Sequence, residues 1–126
     1  MTPPAGRTLL GMVGQSLDDD KAEEAVFIEL TGKTSIADFM VIASGTSQRH
    51  ISVMAERLVK KMKGAGFHSV AVEGLSACDW VLLDLGDVIV HLFVPEVRAF
   101  YNLEKLWGPP PRGEPADATA SADMIT

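Results

Sequence analysis

The chain has 126 residues, of which 47% are hydrophobic and 22% charged, and its formal net charge at pH 7 is −6. This supplies enough apolar material for one compact core and too little length for two, so we expect one domain. The negative charge argues against general binding to nucleic-acid phosphates, which lysine and arginine must neutralise. The single cysteine, Cys78, cannot form an internal disulfide, and we find no signal peptide and no apolar run long enough to cross a bilayer. These features predict a soluble, cytoplasmic protein.

The first part of the chain predicts one helix followed by two strands. Apolar residues at four-residue spacing within residues 7–17 favour an opening helix. Residues 25–30 (AVFIEL) have the composition of a strand. Residues 39–44 (FMVIAS) are apolar almost without a break, which suits a strand that is covered on both faces.

The clearest helix follows Gly45, which ends the second strand. Thr46 or Ser47 can cap its first turn, and Gly64 and Gly66 are placed to end it. Its apolar residues recur at the three- and four-residue spacings that define one helical face: Ile51, Met54, Ala55, Leu58, Val59 and Met62.

The second half of the chain predicts three more strands. Residues 68–74 (HSVAVEG) form the first of them, and residues 80–85 (WVLLDL) and 88–94 (VIVHLFV) form the other two. Only Gly86 and Asp87 separate the last two. That pair is typical of a tight antiparallel hairpin, because glycine tolerates a positive φ at the first turn position.

A final helix begins at Pro95, which is favoured in a first helical turn, and is expected to end at Gly108. The predicted order is therefore α-β-β-α-β-β-β-α. Hairpin and crossover connections both occur in this order, so we expect an α/β domain with a mixed sheet of about five strands flanked by helices. Residues 109–126 are rich in Pro, Ala and small polar residues, and we expect a disordered tail there.

One segment suggests an enzyme. Residues 44–47 (SGTS) join a buried strand to a helix start, where backbone amides can receive a phosphate. Nucleotidyltransferases share a strand-Gly-Ser-helix unit, but they hold metal ions with carboxylates on the next strand, and here that strand has only Glu73. The glycine and lysine pattern of a phosphate-binding loop is also missing. A nucleotide-binding or nucleotidyltransferase-type enzyme that uses the Ser44-Gly45 turn is therefore the alternative interpretation.

Other reactive side chains have structural interpretations that we favour. Asp84 and Asp87 flank the hairpin turn, where acidic residues commonly stabilise the turn itself. His91 lies on an apolar strand face and is read as a satisfied core or edge histidine. Ser47 lacks the sequence of a nucleophile elbow, and Cys78 has no basic neighbour in the sequence. We expect no catalytic residue, no metal and no cofactor.

The charge is unevenly distributed along the chain. Between residues 47 and 66 five basic residues accompany only Glu56, a balance of 5 − 1 = +4. Between residues 73 and 107 six acidic residues accompany Arg98 and Lys105, a balance of 2 − 6 = −4. A solvated helix face and acidic turns would explain both stretches. The second stretch also fits an acidic docking face for a basic protein.

Aromatic residues within the acidic stretch favour an interaction surface. Trp80 begins a strand directly after an acidic residue, and Tyr101 and Trp107 lie on the final helix near Glu104. Rings supply buried area in an interface and carboxylates orient a basic partner. We expect Phe100 to lie in the core, whereas the sequence leaves Trp80 and Tyr101 open between core and surface.

Three segments together resemble a known family: DFMVIASGTSQRHI (38–51), WVLLDLGDVIVHLF (80–93) and PEVRAFYNLEKLW (95–107). Their order and spacing are similar to those of the ribosomal silencing factors, also called the Iojap-like family. The resemblance implies a small α/β domain with a nucleotidyltransferase-like fold over residues 1–108 and no established transferase activity. Residues 109–126 fall outside the resemblance.

The resemblance also implies a function. Members of the family bind large-subunit ribosomal protein number fourteen (uL14) where the small subunit docks, and so block subunit association and repress translation under nutrient limitation. Homodimers also occur in the family, and the sequence leaves open whether this chain forms one. No membrane and no sequence-specific nucleic acid is implied as a partner. Carried over by motif position, the partner-binding residues are Trp80, Leu82, Asp84, Tyr101, Leu103 and Glu104, together with Asp87 and His91.

Overall fold

A computed structural model describes residues 6–32, 35–67, 69–103 and 105. The elements follow one another as α1 (Gly6–Asp19), β1 (Glu23–Glu29), β2 (Phe39–Ser44), α2 (Gln48–Gly64), β3 (Ala71–Glu73), β4 (Trp80–Asp84), β5 (Val88–Phe93) and α3 (Pro95–Tyr101). The predicted order of helices and strands is confirmed. The predicted tail, residues 109–126, lies outside the described residues.

The five strands form one mixed sheet in the order β1-β2-β5-β4-β3. β2 and β5 pair in parallel at its centre, and the other three pairings are antiparallel. Every residue of β2 is buried, as its unbroken apolar sequence predicts. The predicted α/β fold with a mixed sheet of five strands is therefore confirmed.

Helices cover the two faces of the sheet unequally. α1 and α2 pack on one face, and α3 packs on the opposite face near β5. Successive residues of β5 alternate between the two sides, as strand geometry requires. Val88, Val90 and Leu92 contact the α1–α2 layer, whereas Ile89 and Phe93 belong to the cluster beside α3.

The basic face of α2 pairs with the acidic end of α1. Arg57 lies 3.2 Å from the carboxylate of Asp20, and Lys61 lies 3.6 Å from that of Asp19. The basic stretch of the sequence is thus a solvated helix face with carboxylate neighbours. These pairs lie on the side of the sheet away from α3.

The β4–β5 hairpin has the predicted two-residue turn. Gly86 has φ +86°, which an L side chain rarely adopts, and its N–H donates to the Asp84 carboxylate at 2.9 Å. This turn sets the register of the two strands, so that Trp80 lies opposite Phe93 and Leu82 lies opposite His91. The contacts of Trp80 with Phe93 and His91 follow from this register.

α3 is shorter than the sequence predicts. It ends at Tyr101 because Asn102 adopts the left-handed conformation, with φ +48°, and donates its N–H to the Arg98 carbonyl at 2.8 Å. Asparagine tolerates this conformation better than most residues with a side chain. The prediction of one continuous helix from Pro95 to Gly108 is therefore wrong at Asn102.

Candidate docking surface

The face of the sheet opposite α1 and α2 carries most of the predicted partner-binding residues. β4 places Trp80, Leu82 and Asp84 there, because alternate residues of a strand point to the same side. α3 adds Phe100 and Tyr101, and we call these five residues the β4–α3 face. Trp80 and Leu82 are half-buried, while Asp84, Phe100 and Tyr101 are exposed. All five therefore offer surface to a partner.

Trp80 is the centre of an aromatic cluster on this face. Its ring centroid lies 4.6 Å from that of Tyr101 and 4.9 Å from that of Phe93, in tilted arrangements. Contacts of this kind stabilise the rings beyond the area that they bury. Phe93 is only 1% exposed and forms the floor of the cluster. Trp80 and Tyr101 thus belong to both the core and the surface.

His91 lies beneath the cluster rather than at the surface, with 5% of its area exposed. Trp80 Nε1 donates a hydrogen bond to His91 Nδ1 at 3.0 Å. An indole N–H can only donate, so Nδ1 must accept and the neutral ring carries its proton on Nε2. Burial lowers the pKa of His91 from 6.5 to about 4. The interpretation of His91 as a core or edge histidine is confirmed, because the ring is buried and its Nδ1 is bonded to Trp80.

Phe100 lies at the surface, so the prediction that it belongs to the core is wrong. Its side chain is 77% exposed and meets Tyr101 edge-on, with ring centroids 5.0 Å apart. The short helix turns Val97 toward the sheet, and the left-handed residue after it sends Leu103 into the same apolar cluster. Phe100 is therefore left on the outer side of α3 and enlarges the apolar part of the β4–α3 face.

Two other predicted residues lie after α3. Leu103 is 8% exposed and packs in the cluster that contains Ile28, Leu30 and Met40, so it anchors the end of the helix to the sheet. Glu104 lies outside the described residues, as does Trp107.

Carboxylates border the aromatic cluster. Asp84 stands about 13 Å from Trp80 along β4, and Asp87 follows it in the turn. Asp84 stabilises the turn through its bond to Gly86, and Asp87 accepts two backbone N–H groups through its carbonyl rather than its carboxylate. Both carboxylates remain exposed, and Glu96 is exposed in the first turn of α3. Asp84 on β4 and Glu96 on α3 therefore add exposed carboxylates, alongside the half-buried Arg98.

α3 is held to the sheet by apolar packing together with a long-range side-chain hydrogen bond. Arg98 Nη1 donates to Ser44 Oγ at 2.8 Å, and Ser44 is only 2% exposed. None of the residues of α3 is fully buried, so the helix has little apolar anchorage of its own. The serine that suggested a nucleotide site in the sequence thus fixes the helix that carries Phe100 and Tyr101.

The remaining polar groups of the SGTS turn are used within the fold. Gly45 N–H donates to the Phe93 carbonyl at 2.9 Å, and Thr46 N–H donates to His50 Nδ1 at 2.9 Å. Ser47 Oγ accepts from the His50 N–H at 3.1 Å, which confirms Ser47 as the N-cap of α2. Gly45, Thr46 and Ser47 therefore use these groups in contacts within the fold.

The described residues contain no group of three or more His, Cys, Asp and Glu that could hold a metal ion. None of the helices within the described ranges is both long enough and apolar enough to cross a membrane. Cys78 is 8% exposed and belongs to the core cluster on the α1–α2 side, in agreement with its expected packing role.

Sequence reasoning missed three residues of this site: Phe93, Ser44 as an anchor, and Arg98. For Phe93 a signal existed, because a two-residue turn at Gly86 and Asp87 fixes which residues of the hairpin face each other, and Trp80 then falls opposite Phe93. No such signal joined Arg98 to Ser44, which lie 54 residues apart in the chain.

These features define a class of protein: a small α/β domain with an aromatic and acidic face that is open to solvent. The model of the family described as ribosomal silencing factor during starvation matches residues 3–124. A ribosomal silencing factor from Zymomonas mobilis is 52% identical over 118 residues, covering 94% of this chain and 86% of that protein. The chain belongs to the ribosomal silencing factor family, whose members regulate translation and are not a known class of enzyme.

Relatives beyond this one agree with the assignment. A mouse protein named mitochondrial assembly of ribosomal large subunit protein 1 is 38% identical over 101 residues, which cover 78% of this chain and 44% of that protein. A crystal structure from Chromobacterium violaceum has a TM-score of 0.80 at 30% identity, covering 92% of this chain and 99% of the other. A crystal structure from Bacillus halodurans has a TM-score of 0.73 at 39% identity, covering 80% of this chain and 94% of the other.

Proposed function

We propose that this protein binds large-subunit ribosomal protein number fourteen through the β4–α3 face, prevents the small subunit from joining, and so represses translation under nutrient limitation. The observation that carries the proposal is a group of solvent-accessible aromatic rings. Trp80 is held by the sheet, and Phe100 and Tyr101 are exposed on the neighbouring helix α3. A few aromatic anchors with a polar rim supply most of the binding energy in protein interfaces.

The charge on this side of the molecule favours a basic protein as the partner. Asp84, Asp87 and Glu96 would repel ribosomal RNA phosphates but attract lysine and arginine side chains. Exposed rings can also hold such cations over their faces. The chemistry of the face thus supports a protein contact on the ribosome rather than an RNA contact.

The mechanism is steric competition. An interface of ordinary size, which buries about 800 Å² on each partner, suffices for this. Once the face is docked, the rest of the domain occupies space that the approaching small subunit needs. No covalent step is required and one copy suffices, so the proposal depends neither on catalysis nor on a homodimer. We place the protein in the cytoplasm as part of this proposal.

A subunit-joining measurement tests the function. Purified large subunits are incubated with the protein, small subunits are added, and the association is followed by light scattering. We expect the protein to reduce joining in proportion to the large subunits that it occupies. Joining at the control rate with saturated large subunits would contradict the proposal.

Neutralising the rim tests the electrostatic part. We expect Asp84→Asn together with Asp87→Asn to weaken binding to large subunits about tenfold at low salt, mainly through slower association. Asparagine at 84 can still accept the Gly86 N–H, so the turn is kept. The effect should shrink as salt screens the charges.

The matched control removes the same charge from the other side of the sheet, by Glu29→Gln together with Glu56→Gln. Both carboxylates form exposed ion pairs, with Arg7 and Lys60, and such pairs contribute little to stability. The control should bind as the unaltered protein does. Equal weakening by both pairs of substitutions would mean that overall charge, and not this rim, drives binding.

A further inference from the structure

His91 is a buried polar residue for which core packing alone gives no reason. It lies in the middle of β5, between Ile42 of β2 and Leu82 of β4. An apolar residue would fill this position without the cost of burying a polar ring. What the imidazole adds is one hydrogen bond, the bond that its Nδ1 accepts from Trp80.

That hydrogen bond fixes how the Trp80 ring is turned. Phe93 packs against the indole from the opposite position on β5, with ring centroids 4.9 Å apart. The imidazole is stacked on Phe93 at an interplanar angle of 11°, so its own orientation is also held. Apolar contacts alone would allow the indole to rotate, whereas a 3.0 Å hydrogen bond to a fixed acceptor selects one rotation.

We propose that His91 is a positioning residue for docking: by accepting the indole N–H it holds Trp80 in the orientation in which its ring meets Tyr101 and faces the partner. This inference rests on the proposed docking function. A side chain that is already held in its bound orientation loses less conformational freedom on binding, and preorganisation of this kind increases affinity without any new contact.

The role requires a neutral imidazole, because a proton on Nδ1 would remove the acceptor. The titratable and charged groups on the elements packed around His91 are Asp84 on β4, and Glu96, Arg98 and Tyr101 on α3. β2 presents only Met40, Ile42 and Ser44 on this side. Burial among these mostly apolar neighbours lowers the pKa of His91 to about 4, so the acceptor is present at neutral pH.

Two substitutions separate positioning from packing. His91→Phe keeps a ring of similar size but removes the acceptor, whereas His91→Asn is smaller but places a carbonyl oxygen near the position of Nδ1. We expect His91→Phe to weaken binding to purified large subunits about threefold to tenfold, the range that one hydrogen bond accounts for. His91→Asn should recover most of that loss, although it leaves a cavity.

The indole N–H resonance of Trp80 supplies a readout that does not depend on the ribosome. It is assigned by its absence from Trp80→Phe, and its exchange with deuterium reports the hydrogen bond. We expect slow exchange in the unaltered protein and in His91→Asn, and faster exchange in His91→Phe. Unchanged exchange and unchanged binding in a folded His91→Phe would overturn the inference. If Trp80→Ala also binds as the unaltered protein does, the docking function itself fails.

Acidification supplies a second readout. The folded pKa of His91 lies below its unfolded value of 6.5, so between about pH 6.5 and 4 the unfolded chain binds a proton that the folded chain does not. The domain therefore becomes less stable as the pH decreases. Between pH 7.5 and pH 5.5, His91 should raise the equilibrium constant for unfolding about tenfold. His91→Asn should lack this component. The indole resonance should stay unchanged down to pH 5.5, and a shift centred near pH 6.5 would contradict a neutral acceptor.

Discussion

Replacing Trp80 by alanine is expected to weaken binding to the large ribosomal subunit about a hundredfold, or about 3 kcal/mol. The indole joins both halves of the β4–α3 face, since it touches Tyr101 on α3 and Phe93 on β5. Its loss would remove buried contact area, leave Tyr101 without its stacking partner, and leave His91 Nδ1 without a donor. Tryptophan in such a central position is the commonest kind of interface hot spot.

Co-sedimentation of the variant with purified large subunits measures this effect. Leu75→Ala serves as the control, because Leu75 is also a large apolar side chain, is 50% exposed, and lies before β4 rather than on the face. Urea unfolding of both variants shows whether the domain remains folded at the temperature of the binding measurement. Undiminished binding by a folded Trp80→Ala would reject the β4–α3 face as the docking site.

The second large effect is on folding. Gly74→Ala is expected to destabilise the domain by about 2–4 kcal/mol. Gly74 has φ +93°, a conformation that strains any residue with a Cβ, and a Cβ there would overlap the carbonyl oxygen of Trp80. Because the obstacle is backbone, it can be relieved only by moving the start of β4. Trp80 would move with it, so docking should weaken as well.

Gly11→Ala is the matched control for this substitution. Gly11 lies within α1 and a Cβ there would meet no atom within 4 Å. Alanine is favoured over glycine inside a helix, so this change should stabilise the domain by about 0.5–1 kcal/mol. Urea unfolding monitored by circular dichroism gives both values. A midpoint for Gly74→Ala equal to that of the unaltered protein would show that the β3–β4 connection rearranges freely.

Much of the fold could be predicted from local patterns. β2 had an unbroken apolar run, α2 had apolar residues at helical spacing after a serine cap, and the hairpin had a turn dipeptide of known geometry. Each of these signals is strong because a single short-range physical cause produces it. Where the sequence pattern was weaker, the predicted bounds were less accurate: β3 spans Ala71–Glu73, whereas a strand over residues 68–74 was predicted.

The end of α3 shows where local reasoning failed. Pro95 and Gly108 favoured one helix between them, but Asn102 left the helical region. Phe100 was also predicted to lie in the core. Leu103 took a place in the core instead, and Phe100 became 77% exposed. Single-residue conformations of this kind are decided by tertiary packing more than by propensity.

The candidate site was predicted only in part from physical reasoning. Acidic and aromatic residues pointed to a docking face, and the resemblance to a family selected individual residues within it. The hydrogen bond from Trp80 to His91 and the contact from Arg98 to Ser44 depend on side-chain directions in the folded sheet. Neither can be read from composition, although the hairpin register already placed Leu82 opposite His91.

A photo-crosslinking measurement tests the central claim most directly. A benzophenone-bearing phenylalanine is placed at position 100, where the side chain is open to solvent, and irradiated in the presence of purified large subunits. The same group at Val53, which is 39% exposed on α2 at the opposite side of the sheet, serves as the control. We predict that position 100 alone is linked to ribosomal protein number fourteen. Crosslinks from position 100 to ribosomal RNA or to a different protein, or equal yields from both positions, would contradict the account.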